Sequence, residues 1–197
     1  MQNKILDYEF EHTYLSKTGI YNLNKVGFIV GRFQPFHKGH KAFIENVLKE
    51  VDELVVFIGS VQESRTELNP FTFEERSVMI KSVFKTGVTT IPLPDYTSND
   101  AWVQHIYKAL TPFESTNTVV FCRVDKDEET QLSNNLLNKF ETLQVPLQFD
   151  ISATDIRKQL FEDNISSYTI LQLPLTVSTI IYNLNLCLKN KKLNYIV

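Results

Sequence analysis

From Lys25 onward, short apolar runs of strand length alternate with longer stretches whose apolar residues recur at helical spacing, and few folds satisfy that order. The strand-length runs are VGFIV (26–30), ELVVFIGS (53–60), VTTIPL (88–93), TVVFC (118–122) and a short VPLQF (145–149). Between them, residues 39–50 set Ala42, Phe43, Val47 and Leu48 on one helical face. Residues 72–85 open on Thr72-Phe73-Glu74-Glu75, a spacing in which Thr72 caps a helix and Glu75 reaches back. Residues 98–110 carry Trp102, Val103, Ile106 and Leu110 along one stripe. Parallel strands need right-handed crossovers, so the order predicts an α/β, Rossmann-like doubly wound parallel sheet with its ligand crevice at the strands' C-terminal ends. Residues 124–144 are more polar and read as ending in a helix, and 174–190 as a final amphipathic helix packed on the sheet. No repeat or low-complexity linker divides residues 25–197, read here as one domain with a C-terminal helical part. Residues 1–24 form an N-terminal extension whose conformation stays open: a tail, an added strand or an oligomer contact.

Composition narrows the partners. A chain of 197 residues that is 43% hydrophobic can bury a substantial core. A net charge of -3 and a pI near 5.8 speak against a nucleic-acid-coating surface, so any phosphate site must be local. Cys122 and Cys187 lie far apart in apolar surroundings, which fits buried, reduced thiols in a cytoplasmic protein. The first 24 residues have neither a basic start nor an apolar h-region, and so do not read as a secretory signal. The run LPLTVSTIIYNLNLCL is interrupted by Thr176, Ser178, Thr179, Asn183 and Asn185, too polar and short for a bilayer. Neither a nucleic acid nor a membrane is expected as a partner, and a homo-oligomer stays open.

The first apolar run leads directly into GRFQPFHKGH, residues 31–40, which holds two of the chain's four histidines. Gly31 lets the backbone leave the strand sharply, and Pro35 stiffens the turn. Gly39 permits close approach at the next helix's start, where free N–H groups and the positive dipole end favour phosphate. His37 and His40, at i and i+3, fall on one side of the first turn, where both imidazoles can donate to one phosphate. A lone histidine here would read as a cap or packing group; the pair after Gly-Arg-Phe favours phosphate chemistry. A protein-held metal lacks a third ligand nearby, since His12 and His105 sit in unrelated contexts. Near the C-terminus, ISATDIR (151–157) sets Ser152 and Thr154 at a helix start with Arg157 one turn in, a second candidate anion site or an ordinary capped helix.

GRFQPFHKGH resembles the (H/T)xGH signature of the nucleotidylyltransferase superfamily, and ISATDIR its Ser/Asn-x-Thr-x-x-Arg helix start. The segment between them resembles the archaeal-type nicotinamide mononucleotide adenylyltransferases, including bacterial relatives fused to a Nudix hydrolase. Asn69-Pro70-Phe71-Thr72 with Glu75-Arg76 matches the NPFT-x-x-ER element of that branch. Ile91-Pro92-Leu93-Pro94-Asp95 through Asn99, Trp102 and His105-Ile106 matches its P-x-PD-x-x-x-N-x-x-WV-x-HI stretch. The resemblance runs from about residue 26 to about 185 and implies the HxGH nucleotidylyltransferase fold.

It further implies that ATP lies across the crevice, that the phosphate of nicotinamide mononucleotide attacks the α-phosphate in line, and that pyrophosphate leaves. His37, His40 and Arg157 would be catalytic. Gly31, Arg32, Phe33, Gly39, Ser152, Thr154 and Arg65 would hold ATP; Asp95, Asn99, Trp102 and Asn69 would hold the nicotinamide nucleotide. Mg2+ would travel on the ATP phosphates rather than on protein ligands. Trp102 keeps two readings, a core residue on its helical stripe or, through the resemblance, a platform for the pyridine ring. Many relatives carry a basic residue just before the Asn/Asp-Pro-Phe-Thr element, where this chain has Glu67 and Leu68; Arg65 is near enough to substitute. Lys126-Asp127 resembles the bacterial loop, and no Nudix signature follows. The same chemistry on nicotinic acid mononucleotide or another phosphate acceptor, and a catalytically silent nucleotide sensor, are the alternatives.

Overall fold

The computed structural model describes residues 25–114, 118–124, 139–146, 149, 151–161 and 165–193. In chain order the elements are β1 (Lys25–Gly31), α1 (Lys38–Val47), β2 (Glu53–Gly59), α2 (Phe73–Val83), β3 (Val88–Leu93), α3 (Asn99–Glu114), β4 (Thr118–Val124), β5 (Glu141–Val145), α4 (Ala153–Phe161), α5 (Ser167–Leu171) and α6 (Leu175–Leu193). The five strands form one sheet of order β3-β2-β1-β4-β5 with every pairing parallel. The strand order reverses between β1 and β4. Sheets of this type take ligands outside the strands' C-terminal ends at such a reversal.

Both faces of the sheet are covered, which is why β2 reads as a continuous apolar run rather than an alternating one. Its side chains nevertheless alternate in space. Leu54, Val56 and Ile58 enter one core with Ile29, Ile44, Met79 and Ile80, while Val55 and Phe57 enter a second with Phe28, Ile91 and Val103. In the second core Phe28 stacks on Phe121 at 5.1 Å between ring centroids and meets Phe140 edge-on at 4.8 Å. Cys122 is buried against Gly27, where a Cβ would come within 2.9 Å of its Sγ. Burial pushes the Cys122 thiol up to about 12, in line with an inert, reduced cysteine. The Cys187 side chain lies outside the described set.

One expectation is corrected. The fifth strand is Glu141–Val145 and not 145–149: the ladder to β4 ends at Val124↔Val145, and Pro146 has no N–H with which to extend it. Of the polar stretch expected to end in a helix, residues 125–138 lie outside the described set and residues 141–144 belong to β5. The short helix α5 carries no periodic signal long enough to read; it is set by Ser166, whose hydroxyl accepts from the Thr169 amide at 3.2 Å. The N-terminal extension of residues 1–24 and the Lys126-Asp127 loop also lie outside the described set. Among the described residues no helix is long and apolar enough to cross a membrane.

Candidate active site

The centre of the site is the first turn of α1, capped by its own histidines. The His37 Nδ1 accepts from the His40 amide, and the His40 Nδ1 accepts from the His37 amide, both at 3.3 Å. The rings stack 3.6 Å apart at 20°. An Nδ1 that accepts carries no proton, so the reciprocal cap fixes the Nε2–H tautomer of both rings and leaves each an Nε2–H donor with no hydrogen-bond partner among the described residues. Burial lowers the His37 pKa to about 4, and burial and then the nearby His37 hold His40 well below 6.5. Both are neutral donors near neutral pH.

The neighbours explain the motif's small and aromatic positions. A Cβ on Gly39 would lie 3.0 Å from the His37 ring, so glycine is what lets the imidazole lie over the helix start. A Cβ on Gly31 would meet the Phe33 ring at 2.9 Å; Phe33 folds back over it at φ 51 and supports His40 edge-on at 4.9 Å. The expectation of an open helix start is modified. The Lys38 amide is already taken by the Gln172 carbonyl at 2.9 Å and the His40 amide by His37. Donation at this turn therefore rests more on the two Nε2–H groups than on free backbone amides.

Three guanidiniums gather beside it. Arg157 is buried, donates through Nη1 to the Gln34 carbonyl and through Nη2 to the Thr154 hydroxyl, each at 3.0 Å. Ser152 caps α4 by accepting from the Asp155 amide at 3.2 Å. The two hydroxyls of ISATDIR thus order the helix start and aim Arg157. Arg32 is exposed; burial lowers the pKa values of Arg76 and Arg157 and the Arg32 charge lowers both further, against the opposing pull of Glu74, Asp95 and Glu75 on Arg76 and of Glu67 on Arg157. That mutual repulsion is what an anion at this point would relieve.

The acceptor-side residues separate into two groups. Asp95 is exposed and pinned by Ser60 Oγ at 3.1 Å and Gln62 Nε2 at 2.7 Å. Asn99 begins α3. Trp102, 8% exposed, lies in the second core with Val103 and Ile106, so the packing role is realised in this structure. Asn69 is buried at 3% exposure; it donates to Glu63 at 2.7 Å, and its Oδ1 is a buried acceptor with no partner among the described residues. Arg65, at φ 64, pairs both Nη groups with Glu75, the residue whose carboxylate also accepts from the Thr72 amide at 2.9 Å. Its charge is thereby spent on the α2 cap rather than turned toward Arg32.

The cytidylyltransferase-like family model matches residues 28–173. This chain belongs to that family. The nicotinamide-nucleotide adenylyltransferase of Picrophilus torridus is 42% identical over 122 residues, 58% of this chain and 72% of that protein. That of Halorubrum lacusprofundi is 48% identical over 89 residues, 44% of this chain and 50% of that protein. The chain thus spans about half the length of several curated relatives it matches. Among solved structures, a bifunctional NMN adenylyltransferase/ADP ribose pyrophosphatase from Francisella tularensis superposes with a TM-score of 0.65 at 23% identity, over 89% of this chain and 57% of that one. A Plasmodium falciparum nicotinic acid mononucleotide adenylyltransferase gives 0.54 at 15%, over 83% and 97%. At such identities these two likenesses show the shared fold.

Two residues of this family member stand out in the structure but not in the sequence reading. Gln34, buried, clamps the Phe71 main chain, donating to its carbonyl at 2.9 Å and accepting from its amide at 3.0 Å. It joins the GRFQPFHKGH loop to the NPFT loop, and its peptide bond to Pro35 is cis. Arg76 is fully buried and, among the described residues, binds only main-chain carbonyls. A polar glutamine ahead of a proline, and the arginine closing NPFT-x-x-ER, were the only signals available for either.

Proposed function

We propose that this chain transfers the adenylyl group of ATP to nicotinamide mononucleotide, forming NAD and pyrophosphate. The observation that carries the reading is the reciprocal histidine cap of α1, two Nε2–H donors beside guanidiniums that have no ion-pair partner among the described residues, at the β1/β4 reversal. Its identity to the nicotinamide-nucleotide adenylyltransferases supports the acceptor.

The attacking phosphate is anionic near neutral pH, so no protein base or nucleophile is needed. Its oxygen bonds to the α-phosphorus as the bridge to the β-phosphate breaks, and pyrophosphate departs with that electron pair. His37 and His40 donate to the transferring and bridging oxygens, whose charge grows as the bridge breaks; Arg32 and Arg157 hold the triphosphate. Holding both substrates in line supplies about 7–11 kcal/mol. Gly31, Phe33 and Gly39 shape the turn, while Ser152 and Thr154 order the second helix start. Imidazole and guanidinium N–H groups suit phosphate oxygens, and this donor set fits Mg2+ kept on triphosphate oxygens and water. When bound there, the ion offsets charge on the leaving pyrophosphate.

Asp95, Asn99, Trp102 and Asn69 line the nicotinamide side in this reading. A carboxamide N–H2 can donate to the Asp95 carboxylate, whereas nicotinate would meet it charge to charge, which favours the amide substrate. The buried Cys122 thiol fits a cytoplasmic setting. Incubating the protein with ATP, Mg2+ and either pyridine mononucleotide tests the proposal. NAD and pyrophosphate are expected, with a higher kcat/KM for the amide; neither product from either acceptor overturns it.

A further inference from the structure

We propose that Arg76 is a positioning residue that ties the ATP side and the acceptor side of the site to one guanidinium. The inference rests on the adenylyl-transfer reading and deepens it. Backbone pairing of β1 with β2 ends at Gly31↔Ile58, and that of β2 with β3 at Gly59↔Leu93. The next residues, Arg32 and Ser60, leave the sheet and enter the site. At that point Arg76 replaces the missing rungs. Its Nη1 donates to the Arg32 carbonyl at 2.8 Å and the Gly59 carbonyl at 2.7 Å, its Nη2 to the Ser60 carbonyl at 3.4 Å, and its Nε to the Thr72 carbonyl at 3.2 Å.

Each contact leads to a functional group. The Arg32 main chain carries the guanidinium assigned to the triphosphate. Ser60, held at φ 51, donates to Asp95, the carboxylate assigned to the pyridine amide. Thr72 caps α2. A planar fork with five N–H groups can span these carbonyls, and a lysine ammonium, a point charge on a flexible stem, cannot. Among the described residues no carboxylate lies within ion-pair distance of Arg76, the two side-chain ion pairs being Lys41–Glu45 and Arg65–Glu75. A fully buried cation satisfied by carbonyls alone is a poor stabiliser compared with an apolar side chain of similar volume. Its geometry is that of a brace for the two strand ends.

The test compares wild-type protein with Arg76→Lys, which keeps the charge and removes the fork. Thermal melting first establishes the folded fraction. For folded Arg76→Lys the expectation is a fall of at least about tenfold in kcat/KM, with the KM for ATP and the KM for nicotinamide mononucleotide both raised. Its effect should be non-additive with Arg32→Ala and with Asp95→Ala, because each would already have lost what Arg76 positions. A folded Arg76→Lys within twofold of wild type, or full additivity with both partners, overturns the proposal. Should Arg76→Lys not fold, wild-type protein labelled with 15N serves instead. The Arg76 Nε–H resonance should shift on adding a non-hydrolysable ATP analogue and, separately, on adding nicotinamide mononucleotide; a resonance unmoved by both overturns the proposal. Wild-type protein that forms no NAD overturns the activity reading alone. Arg76 is then judged by calorimetric ATP binding, at least about tenfold weaker in folded Arg76→Lys if it braces Arg32, and unchanged if it does not.

Discussion

Arg157 donates to the main-chain carbonyl of Gln34 at 3.0 Å, joining the start of α4 to the turn after β1 across 123 positions of sequence. The same Gln34 clamps Phe71 through both atoms of its amide. One buried residue therefore holds three motif segments in a single arrangement, and the separation of the candidate phosphate contacts is fixed before any substrate arrives.

Replacing Arg157 by alanine removes the triphosphate contact proposed for it and leaves the buried Gln34 carbonyl without that donor. Steady-state kinetics should show kcat/KM for ATP reduced by about a hundredfold or more, on the scale of one pre-oriented donor. Chemical denaturation should show a loss of about 1–3 kcal/mol, the cost of an unsatisfied buried polar group.

His37 is held neutral by burial, and the sign of its linkage follows. Above pH 6.5 folded and unfolded states both hold the neutral ring and nothing is lost. Between 6.5 and about 4 the unfolded state takes up a proton that the folded state refuses, so stability falls with pH, by roughly 3 kcal/mol in all. His40 is lowered too and adds to the same limb. Urea midpoints for wild type should drop across this window, and His37→Gln should flatten part of the drop. Equal slopes for the two proteins would contradict a neutral His37. His40→Ala should lower kcat by about a hundredfold or more while ATP affinity changes little.

Gly39→Ala puts a methyl 3.0 Å from the His37 ring, which must tilt off the helix start. The change adds helix propensity, so thermal stability should move little, while kcat drops at least about tenfold. A crystal structure of the variant should show the His37–His40 stack opened.

Trp102 is the chain's single tryptophan, which makes intrinsic fluorescence specific to it. Trp102→Ala should cost about 3–5 kcal/mol, as for other buried aromatic truncations. If its exposed edge also meets the pyridine ring, nicotinamide mononucleotide quenches wild-type emission and Trp102→Phe raises the KM for that substrate with little change for ATP. No quenching at saturation would leave Trp102 a core residue only.

Leu68, where the resemblance leads one to expect a basic residue, stands 60% exposed, while Arg65 is engaged with Glu75. Leu68→Arg should therefore lower the KM for ATP several-fold at no measurable cost in stability. Arg65→Ala should change stability by about 1 kcal/mol, since Arg65 is 42% exposed and Glu75 17% exposed.

The α/β class, four of the five strand positions and the α2 capping box were legible because each is written in local pattern: apolar runs for strands buried on both faces, and Thr72 three residues before Glu75. β5 was misplaced because its sequence, ETLQV, alternates on a half-exposed edge and resembles neither a buried run nor a helix stripe. That the two histidines share one side of the first turn of α1 was legible from their spacing. Their tautomer was not, because that depends on which amide each Nδ1 meets once α1 has formed.

What the sequence determined by itself is what spacing can encode: alternating elements, a glycine where an imidazole must lie flat, and histidines one turn apart. What the tertiary structure alone decided is how residues far apart in the chain use one another. Arg65 pairs with Glu75, Trp102 fills a core, Gln34 receives Arg157, and Arg76 binds the ends of two strands. These outcomes turn on hydrogen-bond partners and burial, quantities set by the packing of several elements at once, and no local pattern specifies them.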